Sequence, residues 1–218
     1  AHSDQQEVGG HAHELVAGWR RAQPHLHAGR HRWQTRAMAH TETELKLQLA
    51  AQDVPRLLAH PLLRDEPQTL HLFNTYFDTP DLALKARRIA VRERRVGDQT
   101  LLTVKTAGQS VGGLSRRSEW EAPTQAGRPD FAALVDEPRL AADLVALTPR
   151  LRPVFRTDFQ RRRWTLAHGG ARIELALDEG LITAGHSADA PDGTCREAIL
   201  ELELELLVSL EALSCLLY

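Results

Sequence analysis

Charged and uncharged residues alternate strictly in two widely separated segments, and no other feature of the sequence constrains the fold as strongly. Residues 41–49 read T-E-T-E-L-K-L-Q-L, and residues 200–206 read L-E-L-E-L-E-L. Successive side chains of a β-strand point to opposite faces. Each segment therefore predicts a strand with one charged or polar face and one face of leucine or threonine.

Less regular segments extend this prediction to about eight strands and two helical stretches. A short helix is predicted from Asp53 to about His60, because Asp is a good N-cap and Pro55 is tolerated in the first turn. A second helical stretch is predicted over 130–147, interrupted at Pro138. The strands are predicted over residues 41–49, 70–77, 89–96, 100–106, 115–121, 154–166, 171–178 and 198–207.

The predicted strands concentrate their charges on one face, with acids on some strands and bases on others. Strands of this kind can close into a barrel with a charged lumen and an apolar exterior that helices cover. They can also form an open antiparallel sheet whose charged face is solvated. The alternation alone leaves both arrangements open.

A lumen built from these charged faces would contain both acids and bases. The acids are Glu42, Glu44, Glu119, Glu121, Glu174, Asp178, Glu201, Glu203 and Glu205. The bases are Lys46, Arg92, Arg94, Lys105, Arg117, Arg161 and Arg163. Grouped carboxylates bind hard divalent cations such as Mg²⁺ or Mn²⁺, while Arg and Lys bind phosphate oxygens. This chemistry predicts a metal polyphosphate as ligand and attack of metal-activated water on a phosphoryl group.

The charged strands belong to an ordered series of short motifs over about residues 38–207. The motifs are E-x-E-x-K at 42–46, Y-F-D-T at 76–79, R-x-R at 92–94, the strand with Lys105, S-E-W-E at 118–121, F-R-T at 155–157, R-R-R-W at 161–164, the strand from Glu174 to Asp178, and the acidic run at 201–205. In this order they resemble the CYTH superfamily, the triphosphate tunnel metalloenzymes, and its bacterial inorganic triphosphatase branch. The resemblance implies an α+β fold, with a closed eight-stranded antiparallel β-barrel that forms a charged tunnel and helices packed outside.

The same resemblance implies roles for individual residues. Divalent metal, Mg²⁺ or Mn²⁺, is expected at Glu42, Glu44, Asp178, Glu203 and Glu205. Triphosphate is expected at Lys46, Arg92, Arg94, Lys105, Arg161 and Arg163, and catalysis at Glu44, Lys46, Arg94 and Glu205. Additional lumen residues are Glu119, Glu121, Glu174, Glu201 and Arg117. The implied activity is metal-dependent hydrolysis of inorganic tripolyphosphate to pyrophosphate and phosphate.

Other functions of this fold stay open. An adenylyl cyclase, or a thiamine or nucleoside triphosphatase, would need a pocket for a base or a thiazole ring, and the sequence shows no obvious one. A non-catalytic polyphosphate-binding module would keep the basic residues but not turn over. That alternative is raised by the short sequence after Leu207, where relatives usually have a longer closing helix.

Residues 1–37 differ from the rest of the chain. They are rich in histidine and show no sustained strand or helix period, and the single methionine of the sequence, Met38, follows them. We expect residues 1–37 to be a non-native or disordered leader. The CYTH-like domain is then expected over 38–218, with a shortened C-terminal end.

Composition excludes several classes of function. Lys and Arg total 27 against 29 Asp and Glu, so we expect no nucleic-acid partner. No apolar run approaches the length of a membrane span, so we expect no membrane partner. Cys195 and Cys215 have no paired spacing, which is typical of the reducing cytoplasm. The expected partner is tripolyphosphate or another small molecule with a triphosphate, and the oligomeric state is not predicted.

Overall fold

The computed structural model describes residues 40–111, 114–168, 170–185 and 195–208, and the predicted leader lies outside the described residues. The strands are β1 His40–Gln48, β2 Gln68–Asp78, β3 Ala90–Val96, β4 Gln99–Lys105, β5 Gln109–Val111, β6 Leu114–Pro123, β7 Arg152–His168, β8 Ala171–Ala184 and β9 Cys195–Val208. The α-helices are α1 Val54–Leu58, α2 Ala83–Ala86, α3 Phe131–Leu134 and α4 Pro138–Leu147. Short 3-10 helices span Ala51–Asp53, Pro61–Leu63 and Thr148–Arg150.

Eight of the strands form a closed antiparallel barrel. The order around the barrel is β1-β9-β8-β7-β2-β3-β4-β6, and β6 pairs with β1 to complete the ring. Strand β5 pairs with β6 and is not a member of the ring. The predicted closed eight-stranded barrel is therefore confirmed.

Two strand predictions were incomplete. Strand β8 was predicted to end at Asp178 and continues to Ala184, and β5 was not predicted. In residues 179–184 the sequence reads E-G-L-I-T-A, where both faces are largely uncharged. The alternation of charge that marks the other strands is therefore missing from the end of β8.

Helices cover two sectors of the barrel exterior. Helices α3 and α4 place Phe131 and Leu144 in an apolar cluster with Trp120 of β6. Helix α1 packs against a second cluster that contains Trp164 of β7. Both tryptophans lie on the strand faces opposite the charged residues, as the alternation predicted. None of the helices in the described ranges has both the length and the hydropathy that a membrane crossing requires.

The barrel interior is not charged throughout. Tyr76, Phe155, Ile182 and Ile199 are buried together in a third cluster. They lie on the same strand faces as the charged residues of their strands: Phe155, for example, is an even number of positions from Arg161. Apolar side chains therefore fill part of the lumen, a feature that was not predicted from the sequence, and the charged residues are confined to the remainder.

Candidate active site

The lumen has two oppositely charged walls. We call the lumen carboxylates of β1, β8 and β9 the acidic wall, and the lumen bases of β3, β4 and β7 the basic wall. The acids of β1 and β9 lie side by side, because Glu44 is directly paired in register with Glu205. Strand β3, which carries Arg92 and Arg94, lies four strands away from β9 around the ring of eight. The two walls therefore face each other across the lumen.

Every residue predicted for the site belongs to the lumen face of its strand. The following are buried: Glu42, Glu44, Arg92, Arg94, Lys105, Arg117, Glu119, Arg161, Glu174, Asp178, Glu201, Glu203 and Glu205. Lys46, Glu121 and Arg163 are partly buried. Glu174, Glu201 and Arg117, which were predicted as additional lumen residues, are therefore buried. The metal and phosphate roles predicted for the other lumen residues stay predictions.

The acids of strand β1 form ion pairs with lysine and arginine side chains. Lys105 Nζ lies 3.0 Å from a carboxylate oxygen of Glu42 and 2.9 Å from one of Glu119. Arg117 lies 2.5 Å from Glu44 and 3.5 Å from Glu42. Burial raises the pKa of Glu44, and the negative charge of Glu42 raises it further, against the attraction of nearby bases.

The acids of strand β9 are paired in the same way. Lys46 Nζ lies 2.5 Å from Glu203 and 3.5 Å from Glu201. Burial alone would lower the pKa of Lys46, but the two carboxylates outweigh it and raise that pKa. Arg161 donates two hydrogen bonds to Asp178, at 2.7 and 2.6 Å, and one to Glu203 at 2.6 Å. Two bases predicted to bind phosphate are therefore engaged by carboxylates.

Arg94 differs from the other basic residues of the lumen. Its Nε donates a hydrogen bond of 2.7 Å to Asn74 Oδ1, while Nη1 and Nη2 are buried and have no hydrogen-bond partner. Within the described part of the chain, no carboxylate lies at ion-pair distance from it. Burial, together with the positive charges of Arg92 and Arg161, lowers the pKa of Arg94 to about 9. The arrangement disfavours a cation without a counter-charge and favours a bound anion.

Arg92 lies two residues before Arg94 on β3, and its guanidinium has both a hydroxyl and a carboxylate partner. Its guanidinium donates to Thr103 Oγ1 at 3.2 Å and lies 3.7 Å from Glu121. Thr103 in turn donates to Glu121 at 2.8 Å. The basic wall thus combines one anchored arginine with one whose terminal nitrogens are available.

The acidic wall has the chemistry of a site for a hard cation. Glu44, Glu205 and Glu174 are neighbours in register on β1, β9 and β8, and Glu44 Oε2 is buried with no hydrogen-bond partner. Carboxylate oxygens are the ligands that Mg²⁺ and Mn²⁺ prefer. Among the described residues, no three His, Cys, Asp or Glu side chains already converge as a metal cage. A cation would therefore have to draw carboxylates away from the lysines and arginines.

The polar residues that bind and orient Arg94 were not predicted from the sequence. Asn74 and Thr157 are both buried, and Asn74 Nδ2 donates to Thr157 Oγ1 at 2.6 Å. Asn74 stands in a strand that is otherwise mostly apolar or aromatic on its lumen face, with Leu72 and Tyr76 as its neighbours on that face. An amide at an apolar position was the available signal, since a buried polar group requires a partner.

Asp78 and Thr79, part of the Y-F-D-T motif, bind backbone N–H groups with their side chains. Asp78 accepts hydrogen bonds from the backbone N–H groups of Thr79, Leu84 and Lys85. Thr79 Oγ1 accepts one from Ala83. This part of the motif therefore fixes the start of helix α2 and does not contribute to the charged lumen.

A closed eight-stranded barrel whose lumen opposes an acidic and a basic wall defines the class of tunnel proteins suited to anionic ligands. The CYTH domain model matches residues 40–213, and the chain belongs to this family. An inorganic triphosphatase of Haemophilus influenzae is 34% identical over 175 residues, covering 76% of this chain and 45% of the relative. The chain thus spans less than half the length of that protein.

A solved structure with the same fold comes from Hippeastrum. It is a proposed adenylyl cyclase whose dominant activity is that of a triphosphatase. The TM-score is 0.51 at 22% identity, covering 81% of this chain and 84% of that one. The likeness supports the barrel fold of the present chain.

Proposed function

We propose that this chain hydrolyses inorganic tripolyphosphate to pyrophosphate and phosphate, with Mg²⁺ or Mn²⁺ as cofactor. The observation that carries the proposal is the buried Arg94, whose two terminal nitrogens have no partner in a lumen that also holds an acidic wall. A linear triphosphate with a divalent cation matches both walls at once. The 34% identity with an inorganic triphosphatase supports the same substrate class.

The basic wall would bind and orient the phosphate chain. Arg92, Arg94, Lys105 and Arg161 come from β3, β4 and β7, so a closed barrel is required for them to reach one ligand. Arginine presents a planar fork that can donate two parallel hydrogen bonds to phosphate oxygens. These donors would hold the charge that spreads over the transferred phosphoryl group.

The acidic wall would hold the cation through Glu42, Glu44, Asp178, Glu203 and Glu205. When bound, the cation supplies Lewis acidity and an activated water. In the ligand-free arrangement lysines and arginines pair with four of these carboxylates, those of Glu42, Glu44, Asp178 and Glu203. Substrate binding would therefore exchange partners: bases turn to phosphate, and the carboxylates they release turn to the cation.

Alternative substrates with a ring are less well supported. Tyr76 and Phe155 stack on each other with ring centroids 4.3 Å apart, and both are almost completely buried. Trp120 and Trp164 pack outside the barrel under the helices. Among the described aromatic side chains, these therefore present no exposed face to a nucleobase or a thiazole ring inside the lumen.

A reducing compartment such as the cytoplasm stays part of the proposal.

The proposal is tested by phosphate release from tripolyphosphate, ATP and thiamine triphosphate, each with Mg²⁺, Mn²⁺ or chelator. We expect turnover of tripolyphosphate that depends on a divalent cation, and much slower turnover of the other two. Faster hydrolysis of ATP or thiamine triphosphate would replace the substrate proposed here. Tight binding without turnover in any metal would indicate a polyphosphate-binding module instead.

The metal role is tested separately by Glu44→Gln and Glu205→Gln. Each variant loses a charged oxygen ligand and keeps nearly the same shape, so we expect kcat to fall by more than about tenfold, or about 1.4 kcal/mol of barrier. Glu66→Gln is the matched control, because Glu66 is exposed and lies outside the lumen. Retention of more than about a tenth of wild-type kcat in both lumen variants would contradict the metal role.

A further inference from the structure

Three lumen residues on adjacent strands form a row of hydrogen bonds. Thr157 of β7 is paired in register with Asn74 of β2, and Asn74 is paired with Arg94 of β3. Asn74 Nδ2 donates to Thr157 Oγ1 at 2.6 Å, and Arg94 Nε donates to Asn74 Oδ1 at 2.7 Å. Thr157 and Asn74 are fully buried, and Arg94 is 1% exposed.

The direction of this row is fixed by the chemistry of its members. An arginine side chain has donors and no acceptor, so the amide oxygen of Asn74 must face Arg94 Nε. The amide nitrogen of Asn74 then points to Thr157, whose hydroxyl oxygen accepts from it. Arg94 therefore sets the orientation of the amide, and Thr157 accepts from it in that orientation and helps to hold it beside Arg94.

The row leaves the far edge of the guanidinium for a ligand. Arg94 Nη1 and Nη2 are buried without a partner, whereas Nε is held by Asn74. On the other side of Arg94 in the sheet, the register partner is Leu101, which offers no side-chain acceptor. With Nε held, the guanidinium plane is set before any ligand arrives, and less side-chain freedom is lost on binding.

We propose that Asn74 and Thr157 are positioning residues that orient Arg94 toward the phosphate chain of the substrate. The inference rests on the proposed function for the nature of that ligand. Neither residue needs to contact the substrate, because both act through the Arg94 guanidinium. The effect of changing Asn74 should therefore disappear once Arg94 has been removed.

A double-mutant cycle measures this dependence. Asn74→Leu replaces the amide by an apolar side chain of similar size, and we expect kcat/KM for tripolyphosphate to fall by about tenfold or more, since a charge-assisted hydrogen bond that orients the guanidinium is lost. In an Arg94→Leu background the same change should alter kcat/KM by less than about twofold. Equal losses in the two backgrounds would show a structural effect independent of Arg94 and would overturn the inference.

Thr157→Val provides a second and milder variant of the same cycle, and it carries the test if Asn74→Leu fails to fold. The matched control is Thr183→Val, on the neighbouring strand β8 at an outward-facing position, which should leave kcat/KM unchanged. A Thr157→Val loss that persists in full in the Arg94→Leu background would contradict the positioning role.

Binding measurements separate this inference from the proposed hydrolysis. Calorimetric titration of each variant with tripolyphosphate in metal-free buffer gives the same cycle in Kd. If the wild type binds tripolyphosphate but does not hydrolyse it, the proposed reaction is wrong, and a cycle in Kd that depends on Arg94 still supports the positioning role. If the wild type neither binds nor hydrolyses tripolyphosphate, both proposals are overturned.

Discussion

At the scale of single residues, the lumen charges differ in how fully the protein compensates them. Arg161 has three short hydrogen bonds to carboxylates, whereas Arg94 has one, to a neutral amide. A buried charge without a counter-ion costs free energy, so Arg94 destabilises the ligand-free protein. A bound anion would offset this cost, which makes Arg94 the residue at which stability and ligand binding oppose each other.

The double variant Asn74→Leu/Arg94→Leu, which removes Arg94 together with the amide oxygen that accepts from it, should therefore raise the melting temperature of the ligand-free protein while weakening tripolyphosphate binding. Relief of about 1 kcal/mol corresponds to a rise of about 2–4 °C for a chain of this size. The control is Arg163→Leu, because Arg163 lies 3.3 Å from Glu174 and its loss leaves a buried carboxylate without that partner. Arg163→Leu should lower the melting temperature. A clear loss of stability in Asn74→Leu/Arg94→Leu relative to Asn74→Leu would show that the charge of Arg94 is already compensated.

Glu119 makes the stability of the ligand-free protein depend on pH. Burial raises the pKa of Glu119 from 4.5 to about 8, against the attraction of Lys105 and with repulsion from Glu42 and Glu121. Between these two values the folded state binds more protons than the unfolded state, so the free energy of unfolding falls as pH rises.

Glu119→Gln should reduce that pH dependence. We expect the melting temperature of the wild type to fall between about pH 5 and pH 8 in metal-free, phosphate-free buffer, and to fall less in the variant. Some slope should remain, because burial also raises the pKa of Glu44 and of Glu121. The exposed Glu66→Gln controls for the loss of one negative charge. Identical slopes in wild type and Glu119→Gln would contradict the assignment.

At the scale of secondary-structure elements, helix α2 depends on a side chain outside the helix. Asp78, at the end of β2, accepts backbone hydrogen bonds from Leu84 at 2.8 Å and Lys85 at 2.9 Å. A helix of only four residues has few internal hydrogen bonds, so these contacts decide whether it forms. They also join the end of β2 to the connection that leads into β3.

Asp78→Ala should destabilise the fold by about 2 kcal/mol or more, since it leaves buried backbone N–H groups without partners. Chemical denaturation gives the free energy of unfolding. Asp130→Ala is the control, because Asp130 caps α3 through a single exposed contact to Ala133 at 3.0 Å, and it should cost less. At a temperature where both variants are folded, kcat should stay close to wild type. A large fall in kcat of folded Asp78→Ala would assign the motif to the active site.

The elements that the sequence predicted well are those whose strand faces differ in charge. Strand β1 and strand β9 were predicted within a few residues, and Pro138 begins α4 at the predicted interruption of the second helical stretch. The end of β8 was missed because its two faces are chemically alike. The interior apolar cluster was missed for a related reason. Leu72, Phe155 and the other members carry no charge, and charge was the feature used to recognise a lumen face.

At the scale of the whole molecule, the position of each charged side chain was predictable and its partner was not. Strict alternation places Lys46 and Glu203 on lumen faces, but their 2.5 Å contact depends on which strands are neighbours and in what register. Strands β1 and β9 are about 150 residues apart in sequence and pair only because the barrel closes. Asn74 was missed as a site residue because its role exists only beside Arg94.

Because the ligand-free lumen pairs its acids with its bases, cation and phosphate should bind cooperatively. A cation alone must take carboxylates from Lys46, Lys105 or Arg161, leaving those bases without partners. Tripolyphosphate alone can bind to Arg94 directly, but to bind the other bases it must take them from carboxylates, which then repel one another. When both bind, each ligand receives the groups that the other releases, so the two share a favourable coupling free energy.

Melting temperatures of the wild type with Mg²⁺, with a non-hydrolysable triphosphate analogue and with both measure this coupling. We expect the shift with both ligands to exceed the sum of the separate shifts. The excess must be larger than the effect of Mg²⁺ binding to the triphosphate in solution, which titration without protein measures.

Arg162→Leu should leave the coupling intact, because Arg162 pairs with Glu179 on the barrel exterior. Arg161→Leu should weaken it, since Arg161 joins Asp178 and Glu203 inside the lumen. Simply additive shifts would mean that the lumen pairs do not exchange partners on binding, and that cation and phosphate use separate sites.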